Sequence, residues 1–153
     1  HDPKDPPDKR LISINDLDGL IGLVQSASLE IHPWGSTVSD WERPDTIIMD
    51  LDPGEGVSWE AVIEAAVETR DRLKDAGLVP FIKTSGGKGL HVVAPLKPKA
   101  EWPAVKAFTK AIADSMAADS PNRYVSTITK SKRRGKILVD YLRNQRGATA
   151  VAP

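Results

Sequence analysis

Apolar positions along the chain switch between a helical and an alternating period, and the switches mark out the elements. Leu17, Leu20, Ile21 and Val24 recur at helical spacing behind Asn15-Asp16, which can cap a helix running to about Ser26. Residues 29–32 read as a short strand stopped by Pro33. Residues 46–52 hold Ile47, Ile48, Met49 and Leu51 and close on Pro53-Gly54, the pattern of a buried strand followed by a turn. Ser58 is placed to cap a helix to about Ala76, with Trp59, Ile63, Ala66 and Leu73 facing inward and Gly77 just past its end. Residues 79–84 and 90–94 read as two strands joined by a glycine-rich turn at 85–89, which makes a hairpin. Residues 101–118 predict a helix with Trp102, Val105, Phe108, Ile112 and Met116 on one stripe, and Pro103 fits its first turn. Residues 136–142 form another strand, and the segment after Gly147 is a candidate for a last one. Residues 1–10 are polar with three prolines, so residues 1–14 are expected to be a flexible leading segment.

From residue 46 to 142 the order is strand, helix, strand, strand, helix, strand. That is a split βαβ pattern, an α+β fold of the ferredoxin-like kind. Right-handed crossovers then place the first of these strands between the third and the fourth, in an antiparallel sheet with the helices packed on one face. The helix near residue 17 is an N-terminal addition. No repeat, low-complexity run or linker divides the chain, so residues 1–153 are expected to form a single domain.

Composition narrows the function classes. The 153 residues carry 21 basic and 21 acidic side chains and no cysteine. Disulfides, thiolate metal sites and thiol catalysis are therefore excluded. No apolar run approaches the roughly 18 residues of a membrane span, and the polar, proline-rich amino end is not expected to act as a signal peptide. A soluble cytoplasmic protein is the expectation. The zero net charge conceals an asymmetry: residues 1–80 carry 17 acids and 7 bases, whereas residues 121–153 carry 8 bases and the single acid Asp140. A basic tail on an acidic front is suited to phosphate, although uneven solvated surface produces the same counts.

Asp50 and Asp52 lie two apart at the end of an apolar strand, so both carboxylates point to one face. Like charges this close call for a divalent cation such as Mg²⁺ or Mn²⁺, unless the strand end is simply solvated. Asp140 sits where a core strand would carry an aliphatic residue, and the predicted topology brings its strand beside Asp50 and Asp52. Three carboxylates around one or two metals serve phosphoryl and nucleotidyl transfer. The turn Ser85-Gly86-Gly87-Lys88-Gly89, followed by His91, offers backbone amides and donors to an anion, or is a plain hairpin turn. His91 would flank the first strand opposite Asp140. His32 is either structural or a contact to a sugar or phosphate. Lys132, Arg133, Arg134, Arg143 and Arg146 bracket the Asp140 strand, where they form a solvated face or hold nucleic-acid phosphates.

Three segments together carry a family resemblance: Asp50-Leu51-Asp52-Pro53-Gly54, Ser85-Gly86-Gly87-Lys88-Gly89-Leu90-His91 and Val139-Asp140-Tyr141-Leu142-Arg143-Asn144. In order and spacing they resemble the motifs of the archaeo-eukaryotic primase superfamily, in particular the polymerase domain of bacterial ligase D. The likeness runs from about Leu17 to Pro153 and includes Ile31-His32-Pro33-Trp34 and Arg146-Gly147-Ala148-Thr149. It implies a non-homologous end-joining polymerase or primase that extends primers at gapped or broken DNA with nucleoside triphosphates. By motif position Asp50, Asp52 and Asp140 would be the catalytic ligands of Mn²⁺ or Mg²⁺. Ser85, Gly86, Gly87, Lys88 and His91 would hold the triphosphate, His32 would lie near its sugar, and Arg143 would contact nucleotide or primer end. Lys132, Arg133, Arg134 and Arg146 would face DNA. Ku, and ligase and nuclease modules of a parent protein, are the implied partners, in the nucleoid-containing cytoplasm of a bacterium. Such domains extend further on both sides, so the chain is expected to be the catalytic portion.

Two other readings compete. One is a nucleotide- or DNA-binding fragment without catalysis. The other is a haloacid-dehalogenase-like phosphohydrolase with Asp50 as nucleophile, which needs a longer parallel βα series and a late acidic pair. A calcium loop is disfavoured because position 61, where a bidentate glutamate belongs, is alanine.

Overall fold

The computed structural model describes Lys4, residues 11–129 and residues 133–152. Its elements are α1 (Leu17–Gln25), β1 (Thr46–Pro53), α2 (Trp59–Asp75), β2 (Phe81–Thr84), β3 (Leu90–Pro95), α3 (Trp102–Asp119), β4 (Tyr124–Val125) and β5 (Ile137–Asp140). The five strands form one sheet in the order β2-β3-β1-β5-β4. β1 is antiparallel to both of its neighbours, as the split βαβ pattern requires. The short β4 has no counterpart among the strands expected from the sequence, and it pairs parallel to β5 at the edge. The antiparallel centre removes the phosphohydrolase alternative, whose site needs a parallel βα series.

Alternation along the strands divides the sheet into two faces. Met49 and Leu51 of β1, Leu90 and Val92 of β3, and Ile137 and Val139 of β5 are buried on the face that α2 and α3 cover. The even positions of β1 point the other way, so Ile48, Asp50 and Asp52 share the helix-free face. Burial at about 25 cal/mol per Å² of apolar surface fixes which face is which, because slipping β1 by one residue would expose the core set and bury the carboxylates.

The helix boundaries follow the capping chemistry. Asp16 accepts from the Gly19 N–H at 2.8 Å, and Ser58 accepts from the Ala61 N–H at 3.2 Å. The buried faces differ from expectation. In α2, Trp59 and Ile63 are exposed, while Val62, Ala65, Ala66, Thr69 and Leu73 are buried. In α3, Thr109 and Ala113 are buried and Phe108 is exposed. The small alanines let the helices approach the sheet. Each threonine hydroxyl bonds back to the carbonyl four residues earlier, Thr69 to Ala65 at 2.8 Å and Thr109 to Val105 at 2.9 Å, so neither is buried unpaired. The apolar stripe of α1 forms as expected but none of its residues is buried.

Residues 29–32 and the segment after Gly147 are not strands. They run beside each other over the helix-free face, joined by a bridge between Trp34 and Thr149. The Ala150 and Ala152 N–H groups donate to Pro33 and Ile31 carbonyls at 3.4 and 2.8 Å. Pairing one-sidedly at alternate residues, with Pro33 unable to donate, they form a strap rather than a ladder.

Candidate active site

A single cross-sheet row builds the site. Lys83 of β2 pairs with His91 of β3, His91 with Asp50 of β1, and Asp50 with Asp140 of β5. Directly opposed residues share a face, so these four side chains stand in line across the sheet. Asp52 adds a third carboxylate two residues along β1. The row is cationic at one end and anionic at the other.

Asp50 and His91 lie at its buried centre, 8% and 5% exposed. His91 Nε2 is 3.5 Å from Asp50 Oδ1, and its Nδ1 is buried without a hydrogen-bond partner among the described residues. Burial pushes the Asp50 carboxyl above the usual range; Asp52 and Asp140 push it further, while His91 and Arg143 oppose them. Burial likewise holds the His91 imidazolium below its ordinary pKa, with Asp50 opposing and Lys83 reinforcing the shift. Lys83 is also lowered by burial, against the pull of Asp50, and its ammonium donates to the Val151 carbonyl of the strap.

Each carboxylate is engaged separately. Arg143 Nη2 lies 3.3 Å from Asp50 Oδ2, Arg133 Nη2 donates to Asp52 Oδ2 at 2.9 Å, and Asp140 Oδ1 accepts from the Leu142 N–H at 2.7 Å. As placed, no group of three such ligands is drawn together at metal-binding distances among the described residues. The donor set itself, three hard oxygens on one face with a buried member crowded by like charge, suits a divalent cation.

An open cleft of about 230 Å³ lies over Asp50 and His91 at the centre of this row. Its lining includes His32, Asp50, Asp52, Ser85, Gly87, Lys88, His91 and Arg143. Eight of the anticipated residues thus share one depression. Asp140 stands beside Asp50 in register but outside the lining. Gly86 supplies the turn itself, at φ +80°. Ser85 Oγ reaches the Gly89 carbonyl at 3.5 Å, and the Lys88 side chain is exposed. His32 is exposed and hydrogen-bonded to Glu30, which also lines the cleft. Arg134 is exposed away from the lining. Arg146 bonds Glu42 at 3.0 Å and lies over Trp34, 5.7 Å from the ring centre. Lys132 lies outside the described residues.

The model of the LigD primase-polymerase domain matches residues 1–153. The chain belongs to the LigD primase-polymerase family. It is 42% identical over 151 residues to the multifunctional non-homologous end joining protein LigD of Pseudomonas aeruginosa, covering 99% of this chain and 18% of that protein. Against the corresponding Mycobacterium tuberculosis protein, strain H37Rv, identity is 37% over 148 residues, 92% of this chain and 20% of the relative. The solved polymerase domain from Mycobacterium tuberculosis ligase D in complex with DNA superposes with a TM-score of 0.84 at 36% identity, covering 92% of this chain and 52% of that one. The chain thus spans about a fifth of the curated relatives' length and about half of that solved domain.

Within this LigD primase-polymerase fold, two residues matter that sequence reasoning did not single out. Lys83 lies two residues before the glycine-rich turn, and the hairpin sets it opposite His91. Asn144 closes the third motif and is 1% exposed. Its partner is the backbone of Ile48, a relationship that no periodicity encodes.

Proposed function

We propose that the chain is the catalytic portion of an end-joining repair polymerase, a nucleotidyltransferase that extends a primer at gapped or broken DNA from nucleoside triphosphates. One observation carries the reading. The register puts Asp50, Asp52 and Asp140 on one sheet face, and Asp50 and Asp52 line a cleft whose other wall is the Ser85–Gly89 turn with Lys88. Membership of the LigD primase-polymerase family supports it.

Asp50, Asp52 and Asp140 would hold Mn²⁺ or Mg²⁺. When bound, such an ion supplies Lewis acidity at the reacting phosphate and an acidified attacking hydroxyl. The chain's own groups do the rest. Lys88, the Ser85 hydroxyl and the Gly86-Gly87 backbone bind the outer phosphates, and His91 stands at the inner side of the same cleft. His32, steadied by Glu30, is placed at the rim for a sugar hydroxyl. Arg143 carries a cation at the Asp50 edge, where charge builds up as the primer 3′-oxygen bonds to the α-phosphorus and pyrophosphate leaves. Arg133 and Arg134, together with Lys132, offer charge to DNA phosphates. Ku, and the ligase and nuclease modules of a longer parent, are proposed partners in the bacterial cytoplasm and nucleoid.

The test is primer extension on a gapped duplex with Mn²⁺, comparing the intact chain with Asp140→Ala. Loss of extension by about two orders of magnitude or more is expected. Undiminished extension by Asp140→Ala sinks the three-carboxylate assignment. Triphosphate binding in calorimetry without extension by the intact chain selects the non-catalytic binding fragment instead.

A further inference from the structure

β5 ends at Asp140, while β1 still has backbone groups to satisfy on that side. Asp50 faces Asp140, so continuing the antiparallel register would set Ile48 opposite residue 142. The chain turns there instead, with the Asn144 N–H donating to the Tyr141 carbonyl at 3.0 Å. The Asn144 side chain fills the position of the missing strand residue. Its Oδ1 accepts from the Ile48 N–H at 2.8 Å, and its Nδ2 donates to the Ile48 carbonyl at 2.6 Å and to the Tyr141 carbonyl at 2.9 Å. A carboxamide carries the same donor and acceptor as a peptide, so one side chain completes the ladder edge.

The consequence falls on the neighbouring residue. Arg143 lies outside any strand, and its side chain is exposed. Its guanidinium nevertheless reaches Asp50 Oδ2 from Nε at 3.4 Å and from Nη2 at 3.3 Å, and the Thr149 carbonyl from Nη1 at 3.5 Å. Its backbone is tied through Asn144 to Ile48, two residues before Asp50 on the same strand and the same face.

We propose that Asn144 is a positioning residue for nucleotidyl transfer: its carboxamide clamps the Arg143 backbone to β1 and so delivers the Arg143 guanidinium to the Asp50 edge of the cleft, where it meets the triphosphate. The inference rests on the polymerase reading and adds a residue to it. Losing the clamp leaves the Arg143 side chain intact but no longer aimed. A displacement of about an ångström is enough to cost a large part of a positioned contact.

The experiment is a double-mutant cycle on the whole chain, with ATP and Mn²⁺ as the probe in calorimetry and Arg143→Ala, Asn144→Ala and the double variant compared. Each single change is expected to weaken ATP binding about tenfold, the worth of a charge-assisted hydrogen bond, and the double variant no more than Arg143→Ala alone. Additive losses overturn the proposal. Val62→Ala, a core deletion on the opposite face of the sheet, controls for lost stability and is expected to leave ATP affinity unchanged. Equal weakening by Val62→Ala overturns the proposal too. Asn144→Asp keeps the acceptor and the volume but removes both Nδ2 donations, and NMR of the Arg143 Nε–H group reads its order directly. That signal is expected to be restrained in the intact chain and averaged in Asn144→Asp; an unchanged signal overturns the positioning role. Failure of the intact chain to bind ATP with Mn²⁺ sinks the polymerase reading, and the Arg143 signal still decides whether Asn144 aims it.

Discussion

His91 and Asp50 face each other across the β1–β3 ladder, 3.5 Å apart and almost wholly buried. On its other side Asp50 faces Asp140. A carboxylate in the central strand is therefore held between an imidazole and a second carboxylate, with Lys83 beyond the imidazole. A sheet arranged for stability alone would place aliphatic side chains in that row. The polar row persists at a cost, and its cost can be measured.

Asp50→Asn is expected to stabilise the chain at neutral pH in the presence of a chelator, and to abolish extension in Mn²⁺. Burial raises the folded-state pKa of Asp50 above its unfolded value, so the folded chain favours the protonated form. The stability associated with that proton is fully present below about pH 3.9 and is lost as pH rises through the raised pKa. Wild type carries the resulting penalty at neutral pH and the amide does not. A gain of about 1 kcal/mol is expected, shrinking to nothing toward about pH 3.5. Urea unfolding at the two pH values checks it. A variant less stable than wild type at neutral pH contradicts the assignment.

Divalent cation should reverse that order. An ion bound by the carboxylates of the folded state alone stabilises it by about 2.7 kcal/mol when present at a hundred times its dissociation constant. Thermal melts of wild type with and without Mn²⁺ should show a clear upward shift. Asp50→Asn and Asp52→Asn should show a much smaller one. Equal shifts in all three proteins place the ion elsewhere.

What was legible in the sequence divides by physical cause. The juxtaposition of Asp50, Asp52 and Asp140 followed from strand alternation plus crossover handedness, both of which act at the level of the backbone. The inward faces of α2 and α3 are less legible. A threonine counts as polar in a pattern, yet Thr69 and Thr109 satisfy their hydroxyls within their own helices and enter the core. The strap at residues 149–152 and the Asn144 clamp were not legible, because each depends on a side chain or a lone bridge replacing a strand. A basic residue's partner was equally hidden: Arg133 meets Asp52 and Arg146 meets Glu42, although the same charge-run reading covered both.

The glycine-rich turn separates into positions with different tolerances. A Cβ on Gly89 would stand 2.2 Å from the Leu51 carbonyl oxygen, a backbone atom that cannot yield without moving β1. A Cβ on Gly87 meets nothing nearer than Ser85 Oγ at 3.8 Å. Gly89→Ala is expected to cost about 2–4 kcal/mol and Gly87→Ala less than about 0.5 kcal/mol. Denaturant midpoints of the two variants test the contrast. Comparable losses would show that the turn, rather than the approach of β3 to β1, sets the requirement.

Arg134 and Arg146 should part company although the family resemblance implies a DNA-facing role for both. Arg146 is half-buried, with its guanidinium over Trp34 and its Nε 3.0 Å from Glu42. Trp34 in turn packs edge-on against Trp41 at 5.2 Å. Arg146→Ala removes that stacking and the packing of the aliphatic stem, and about 1 kcal/mol of stability should go with it. Its effect on DNA affinity in the folded protein should be slight. Arg134 is exposed beside the strand that bears Asp140. Arg134→Ala should leave the denaturation midpoint alone, weaken binding to gapped duplex, and reduce the steepness of the salt dependence by about one phosphate contact. Melting curves and salt-titrated binding on the same two preparations decide the matter. A flat stability response from Arg146→Ala, with a reduced salt slope, would return Arg146 to the DNA-facing surface.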